Sequence, residues 1–161
     1  MVKDLAAFYK SLPKKRIAAG IFFFNTYGRL LIVKPIYRPE WLIPGGTIEE
    51  DESPRQGCER EVLEELGLIV AVQQLLCTDY MQRDEIRTEG IDFVFYGGVL
   101  DQGQIDSIRL QESELSEYRF VSIEEALELL TVNLSRRLIP CIEALQRHTT
   151  LYLENGQKVE L

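Results

Sequence analysis

Three carboxylates stand within five positions of one predicted helix, at Glu61, Glu64 and Glu65. At about 100° per residue they share roughly one third of the helix circumference, opposite an apolar face. Like charges one turn apart repel each other, and the C-terminal half of a helix disfavours anions. A hard divalent cation such as Mg²⁺ or Mn²⁺, which prefers carboxylate oxygens, would neutralise this group. The alternative is an acidic, solvated helix face that binds nothing.

The helix that must position these acids is predicted over residues 54–66. Ser53 is a good N-cap, Pro54 suits the first helical position, and Gln56 completes a Ser-x-x-Gln capping box. Gly67 is a residue at which helices commonly end. The apolar residues opposite the acids predict that this helix packs on a core and turns its carboxylates away from it.

The charge of the chain is concentrated around this helix. The chain has 161 residues, with 18 Lys and Arg against 26 Asp and Glu, and a net charge of −8. Segment 46–68 holds eight of the acids and two bases, so it carries −6 of that charge. This balance argues against binding to bulk nucleic acid or to an anionic membrane, because both require a basic surface.

The single histidine, His148, excludes several kinds of site. A zinc site built from several histidines cannot form with one histidine, and we expect no Ser-His-Asp triad and no Cys-His dyad. Cys58, Cys77 and Cys141 are too widely spaced for a CxxC pair, and we expect buried thiols in a reducing cytoplasm. We expect no signal peptide and no membrane span, because the longest early apolar run, 17–24, has eight residues.

Predicted strands and helices follow each other without a regular β-α-β alternation. The strands are predicted at residues 17–24, 30–34, 68–76 and 91–100, and the helices at 3–11, 54–66, 122–130 and 134–147. Residues 149–161 predict a β-hairpin that turns at Asn155-Gly156. We expect one domain of the α+β class over residues 1–161.

Segment 46–68, GTIEEDESPRQGCEREVLEELGL, resembles the Nudix box, whose pattern is G-x5-E-x7-R-E-U-x-E-E-x-G-U with U apolar. All nine specified positions match, at Gly46, Glu52, Arg60, Glu61, Val62, Glu64, Glu65, Gly67 and Leu68. Residues 41–46 resemble the stretch that precedes this box in the family. The resemblance implies an α/β/α sandwich with a mixed β-sheet, over a core of about residues 15–147, with 149–161 as an extension.

The resemblance also implies an activity, the hydrolysis of a nucleoside diphosphate linked to another moiety, with Mg²⁺ or Mn²⁺ as cofactor. The implied metal ligands are Glu61, Glu65, Glu64 as a third carboxylate, and a backbone carbonyl at Gly45 or Gly46. Glu52 and Arg60 would orient the loop and the helix. The expected reaction is the metal-assisted attack of water on a phosphorus of the pyrophosphate, with one carboxylate accepting the proton.

Four acids are candidates for that catalytic role, namely Glu61, Glu64, Glu112 and Glu114. The last two lie in a stretch predicted to be a later loop. The candidates for substrate binding are Lys34 and Arg38, which could contact phosphates before the box, and Tyr80, which follows the predicted third strand. Each of these later acids and each of these cations could also be an ordinary solvated loop residue.

The substrate and the assembly are left open by the sequence. A nucleoside triphosphate or its deoxy form is slightly favoured, because the chain shows no dimerising N-terminal domain of the kind that some ADP-ribose hydrolases carry. ADP-ribose and nucleotide sugars stay as alternatives, and so does a homodimer formed through the C-terminal hairpin. The alternative function is a catalytically silent nucleotide sensor, although sensors usually lose box carboxylates and this chain keeps them all. Isomerisation of a prenyl diphosphate would need a reactive cysteine that the sequence does not place.

Overall fold

The computed structural model describes residues 4–160. Within this range the chain forms eight strands and five helices. In chain order they are α1 (Leu5–Ser11), β1 (Arg16–Asn25), β2 (Leu30–Pro35), β3 (Gly45–Thr47), α2 (Pro54–Leu66), β4 (Gln74–Met81), β5 (Gly90–Leu100), α3 (Gln102–Asp106), β6 (Leu115–Val121), α4 (Ile123–Leu129), α5 (Val132–Arg147), β7 (Leu151–Glu154) and β8 (Gln157–Lys158).

All eight strands belong to one mixed sheet, in the order β6-β2-β1-β5-β4-β7-β8, with β3 also pairing with β1. The β1–β5 and β4–β7 pairs are parallel and the other pairs are antiparallel. The predicted α+β class and mixed sheet are therefore confirmed.

Helices cover both faces of the central strands, which explains their continuous apolar runs. Phe22 of β1 and Ile32 of β2 belong to the core cluster beneath α4 and α5. The alternate residues Ile21 and Phe23 belong to the second cluster, which Val62 of α2 helps to fill. Successive side chains of a strand point to opposite faces, so both sets must be apolar when both faces are covered. The result is the α/β/α sandwich that the sequence predicted.

The predicted bounds of the third strand, 68–76, are wrong, because β4 begins at Gln74 and shares only residues 74–76 with them. Leu68, Val70 and Val72 alternate inward onto the cluster around α2, which gives them the period of a strand without a partner strand. The Val72 N–H instead donates to a carboxylate oxygen of Glu59 on α2, at 3.1 Å. A strand-like pattern here reflects an extended segment that lies along a helix.

Three elements were not predicted, namely β3, α3 and β6. The most consequential is β6, which lies in a stretch predicted to be a loop and pairs with β2 from Leu115 to Val121. Helix α5 begins at Val132 and not at residue 134, because the Thr131 side chain caps it. Helix α1 lies inside the predicted range 3–11, whose first residue is outside the described part of the chain.

The predicted C-terminal hairpin is formed by β7 and β8, which turn at Asn155-Gly156, and it extends the sheet. Strand β7 runs parallel to β4, with Leu151 opposite Cys77. Leu161, at the end of the predicted hairpin, lies outside the described residues. The single domain over residues 1–161 and the homodimer stay predictions. Between residues 4 and 160, no helix is both long enough and apolar enough to cross a bilayer.

Candidate functional site

Helix α2 is held in place by the capping residues that the sequence indicated. The Ser53 side chain accepts from the Gln56 N–H at 3.2 Å, and the Gln56 side chain accepts from the Ser53 N–H at 3.1 Å. Gly67 ends the helix in the left-handed conformation, with φ 69°. Val62 and Leu66 are fully buried against the sheet. The helix is thereby fixed at both ends and along its apolar side, which determines where its acids lie.

Two glycines of β3 form the surface against which those acids rest. Gly45 and Gly46 pair with β1, opposite Gly20 and Ala19. The Gly45 N–H donates to Glu65 Oε2 at 2.9 Å. A Cβ atom on Gly46 would lie 2.5 Å from the carboxyl carbon of Glu61, so only glycine leaves room for that carboxylate. Two acidic side chains are thus brought against one short stretch of backbone.

Arg60 joins the loop of the box to the helix. Its Nε and Nη2 donate to the two oxygens of Glu52 at 2.8 and 3.0 Å, the fork geometry that suits a carboxylate. Its Nη1 donates to Glu61 at 3.0 Å and to Glu64 at 2.9 Å. The hydrogen bond from Arg60 and one from the Glu49 N–H lower the pKa of Glu52. These contacts join the loop to the helix, and the orienting role of Glu52 and Arg60 stays a prediction.

Glu65 is the acid of the site whose pKa lies furthest from its ordinary value. Burial raises its pKa from 4.5 to about 8, against the Gly45 N–H, which favours the charged form. The charges of Glu61 and Glu114 raise it further. Burial also raises the pKa of Glu61, where Arg60 opposes the shift. Acids with perturbed pKa values cluster at functional sites, and a cation beside Glu61 and Glu65 would favour their charged forms.

Glu61 and Glu65 fit a divalent cation in combination with backbone oxygens. Within residues 4–160, no group of three or more His, Cys, Asp and Glu side chains is arranged to hold a metal alone. Glu64 is 49% exposed, and its carboxylate accepts from Arg60 at 2.9 Å. Mg²⁺ is commonly bound through one or two carboxylates, with water and substrate phosphates completing its shell. Glu61 and Glu65, which lie against the backbone of Gly45 and Gly46, supply the two carboxylates that this requires.

A cleft of about 560 Å³ opens beside Gly45 and Gly46, a volume that suits a small-molecule ligand. Small residues of β1 form its floor, at Ala18 and Gly20. Its walls come from the loop after β2, from β5 and from the start of α5, including Tyr37, Arg38, Asp92, Phe93, Asn133 and Arg137. A ligand in this cleft would reach the glycines that lie against the two acids.

The three predicted substrate-binding residues are placed differently from one another. Arg38 lines the cleft, where its Nε donates to Glu40 at 3.2 Å. Lys34 is outside the lining, since its ammonium contacts the Pro39 carbonyl and lies over the Trp41 ring. Tyr80 is also outside it, and its hydroxyl donates to Glu89 at 2.6 Å.

The two later acids are also separated by the structure. The loop before β6 is tied to the end of α2, because the Gln111 N–H donates to the Glu65 carbonyl at 3.0 Å. From this loop the charge of Glu114 raises the pKa of both Glu61 and Glu65. Glu112 and Glu114 are both exposed, and the Glu114 carbonyl accepts from the Ile36 N–H at 2.9 Å, next to the loop that lines the cleft.

Sequence reasoning missed a buried ion cluster in the cleft wall. Arg137 of α5 donates through Nη2 to Asp92 at 2.7 Å and through Nε to Asp79, which is fully buried on β4. The Gly156 N–H of the hairpin turn donates to Asp79 at 2.9 Å. Arg16 contacts Asp92 from β1 at 3.4 Å. The sequence features that could have indicated this cluster are an aspartate at an inward position of a strand and an arginine on the apolar side of a helix.

Known proteins resemble this chain in sequence over its box and beyond. The NUDIX domain model matches residues 14–141. A MutT-like protein of Streptomyces ambofaciens is 46% identical over 65 residues, which are 40% of this chain and 42% of that protein. An RNA pyrophosphohydrolase of Blochmanniella floridana is 42% identical over 53 residues, 33% of this chain and 34% of that enzyme. The chain thus spans less than half the length of these curated relatives.

The fold is shared with solved structures over most of the chain. The NUDIX domain of Shewanella oneidensis NrtR, solved in complex with ADP ribose, superposes with a TM-score of 0.71. The two are 19% identical, and the match covers 90% of this chain and 99% of that domain. This likeness shows the fold. Since the family model covers most of the chain and every box position is present, the chain belongs to the NUDIX domain family.

Proposed function

We propose that this chain is a pyrophosphohydrolase, dependent on Mg²⁺ or Mn²⁺, that cleaves a nucleoside diphosphate linked to another moiety. The observation that carries the proposal is the placement of the Glu61 and Glu65 carboxylates against Gly45 and Gly46, at the edge of a cleft. The activity named for the Blochmanniella relative supports it. Members of the family generally use divalent metal ions.

Each residue of the box has a task in this proposal. Glu61, Glu65 and a carbonyl of Gly45 or Gly46 would hold the cation, with Glu64 as a further candidate ligand. When bound, a divalent ion supplies charge neutralisation at the pyrophosphate oxygens and acidifies water. Arg60 keeps the helix and the loop in one orientation through its contacts to Glu52.

The proton of the attacking water needs an acceptor among the nearby carboxylates. Glu61 is one candidate, because its carboxyl lies against Gly46 at the cleft edge. Glu114 is the other, because its carbonyl accepts from the Ile36 N–H beside the loop that lines the cleft, and position governs this role more than basicity does. Glu64 is a weaker candidate, since Arg60 already engages its carboxylate, and Glu112 is the weakest.

The cleft would receive the nucleoside part of the substrate, and Arg38 is the candidate for its phosphates. Nucleoside triphosphates and their deoxy forms are the first substrate class to test. ADP-ribose, a nucleotide sugar and an RNA are the alternatives, since ADP ribose is the ligand named for a structural neighbour and a relative is named an RNA pyrophosphohydrolase. Each class leaves a different product, so a substrate panel distinguishes them.

A substrate panel with Mg²⁺ or Mn²⁺ tests the proposal by measuring released phosphate, pyrophosphate and monophosphate. We expect Glu61→Gln and Glu65→Gln each to lower kcat/KM by about 100-fold or more, because each removes an anionic ligand. Glu59→Gln is the matched control on the same helix, since Glu59 contacts Arg55 and the Val72 N–H. It should stay near the wild-type rate.

Two outcomes of the panel would contradict the proposal. If the wild type turns over a substrate and both variants match it, the site lies elsewhere. If the wild type binds nucleotides tightly and turns over none of them with either metal, the chain is a nucleotide sensor.

A further inference from the structure

One end of the cleft is built from two arginines and two aspartates. Asp92 on β5 lies between Arg16 and Arg137, and Asp79 holds Arg137 from behind. Asp79 is fully buried and its two oxygens are used by Arg137 and by the Gly156 N–H. Of the four side chains, Arg16, Asp92 and Arg137 line the cleft. This group is called the Arg16–Asp92 end of the cleft below.

The Arg16–Asp92 end carries no net charge, because two cations face two anions. The other arginines that line the cleft are also paired with acids, at 3.2 Å in Arg38–Glu40 and at 2.7 Å in Arg87–Asp84. At the Arg16–Asp92 end itself a phosphate would find no unpaired cation, because Arg16 and Arg137 both contact Asp92. A neutral ligand group that offers both a donor and an acceptor matches this end of the cleft better.

Arg16 and Asp92, which both line the cleft, can each form further hydrogen bonds. Asp92 accepts once from each arginine, at 3.4 and 2.7 Å, whereas a carboxylate can accept about four hydrogen bonds. Among the described residues the Arg16 side chain donates one hydrogen bond, the longer of these two, through Nη1. Their side chains are 17% and 29% exposed. An acceptor and a donor therefore stand side by side at the cleft surface.

The strand register sets the distance between this pair and the glycines of the box. Gly46 lies opposite Ala19 of β1, and Ala18 lies opposite Asp92 of β5. Two strand spacings and one residue of rise place Asp92 on the order of 10 Å from Gly46. A nucleoside whose 5′ phosphates lie at the glycines would bring its base edge to about this position.

We propose that Arg16 and Asp92 read the lactam edge of a nucleobase, Asp92 accepting from the ring N–H and Arg16 donating to the adjacent carbonyl oxygen. The phosphates are placed by the function proposed above, on which this assignment rests. Hypoxanthine, guanine and uracil present such an edge. Adenine presents a ring nitrogen that is an acceptor, and this nitrogen would face the carboxylate of Asp92 without a proton between them.

Inosine monophosphate and adenosine monophosphate form a matched ligand pair for the test. They share the purine size, the ribose and the phosphate, and differ in the edge that Arg16 and Asp92 would contact. We expect calorimetric titration of the wild type, with Mg²⁺ present, to give a Kd for inosine monophosphate that is about tenfold lower, since one bidentate base contact discriminates by this order.

Two variants test the two residues separately. Asp92→Asn keeps the side-chain shape and adds a donor, so the preference should fall to about threefold or less, or invert towards adenine. Arg16→Gln leaves the Asp92–Arg137 pair in place and should also lose the preference. Glu143→Gln is the control, because Glu143 lies on the same helix as Arg137 and pairs with Lys158 outside the cleft. Thermal denaturation identifies any variant that has lost its fold.

The assignment is overturned if the wild type binds both monophosphates equally or binds neither. It is also overturned if folded Asp92→Asn and Arg16→Gln proteins keep the wild-type ratio of Kd values. Turnover is measured separately, with pyrophosphate-containing substrates. A wild type that discriminates through Asp92 without hydrolysing any substrate would refute the proposed activity and leave the base-reading assignment standing.

Discussion

The buried carboxyl of Glu65 predicts an unusual dependence of stability on pH. In the unfolded chain its pKa is near 4.5, and in the folded chain it is raised to about 8. Between these values the folded state binds the proton and the unfolded state does not. The free energy of unfolding therefore falls as the pH rises from about 4.5 to about 8, the reverse of the usual behaviour of paired acids.

The size of this fall follows from the same two pKa values. Each pKa unit corresponds to about 1.4 kcal/mol, so the whole window corresponds to about 5 kcal/mol. Such a change would be a large part of the stability of an ordinary domain, about 5–15 kcal/mol. A divalent cation that binds the ionised carboxylate would offset the loss, since a ligand of the folded state stabilises it by mass action.

Urea denaturation in EDTA, at pH values from 5 to 8.5, measures the effect. We expect Glu65→Gln to flatten the dependence and to be more stable than the wild type at pH 8 without metal. Its side-chain carbonyl can still accept from the Gly45 N–H. With saturating Mg²⁺ or Mn²⁺ the wild type should be the more stable protein, because only its Glu65 carboxylate can bind the cation.

Glu59→Gln is the matched control for this measurement. Glu59 lies on the same helix and its carboxylate contacts Arg55 and the Val72 N–H, so its removal should leave the pH dependence of the wild type in place. Equal slopes in the wild type and in Glu65→Gln, with metal absent, would refute the reasoning. So would a wild type whose stability rises between pH 5 and pH 8.

Two further substitutions probe the backbone and the arginine of the site. Gly46→Ala places a Cβ at 2.5 Å from the Glu61 carboxyl carbon, and we expect a fall in metal affinity of about tenfold or more, measured by Mn²⁺ titration. Gly103→Ala, in the short helix α3, should bind Mn²⁺ as the wild type does. Arg60→Lys removes the paired contacts to Glu52 and should cost about 1–3 kcal/mol in urea denaturation, whereas an unchanged midpoint would show that this fork adds no stability.

The box helix could be predicted in full because its signals are local. The N-cap at Ser53, the capping box with Gln56 and the stop at Gly67 all lie within one element, and the structure contains each of them. The grouping of Glu61 and Glu65 on one side of that helix also follows from its period alone.

The surroundings of the helix could not be predicted in the same way, because they depend on pairing between distant segments. Nothing near Gly45 indicates that it forms a strand with β1 and binds Glu65. The strand β6 has polar and apolar residues in no clear alternation, and its pairing with β2 forms it. Arg137 and Asp79 come together from α5 and β4, 58 positions apart. Local sequence patterns do not indicate contacts between residues so far apart in the chain.

The route of the chain through the Arg16–Asp92 end has a consequence for the timing of synthesis. Arg16 and Asp92 are 76 positions apart, and Asp79 receives the Gly156 N–H from 77 positions further along. At about 5–20 residues per second, Gly156 follows Arg16 out of the ribosome on the order of ten seconds later. Helix α2 can form early in that interval, whereas the contact between Asp79 and Gly156 behind the cleft wall cannot form until Gly156 has been synthesised. A nascent chain would thus carry its acidic helix well before it could discriminate between bases.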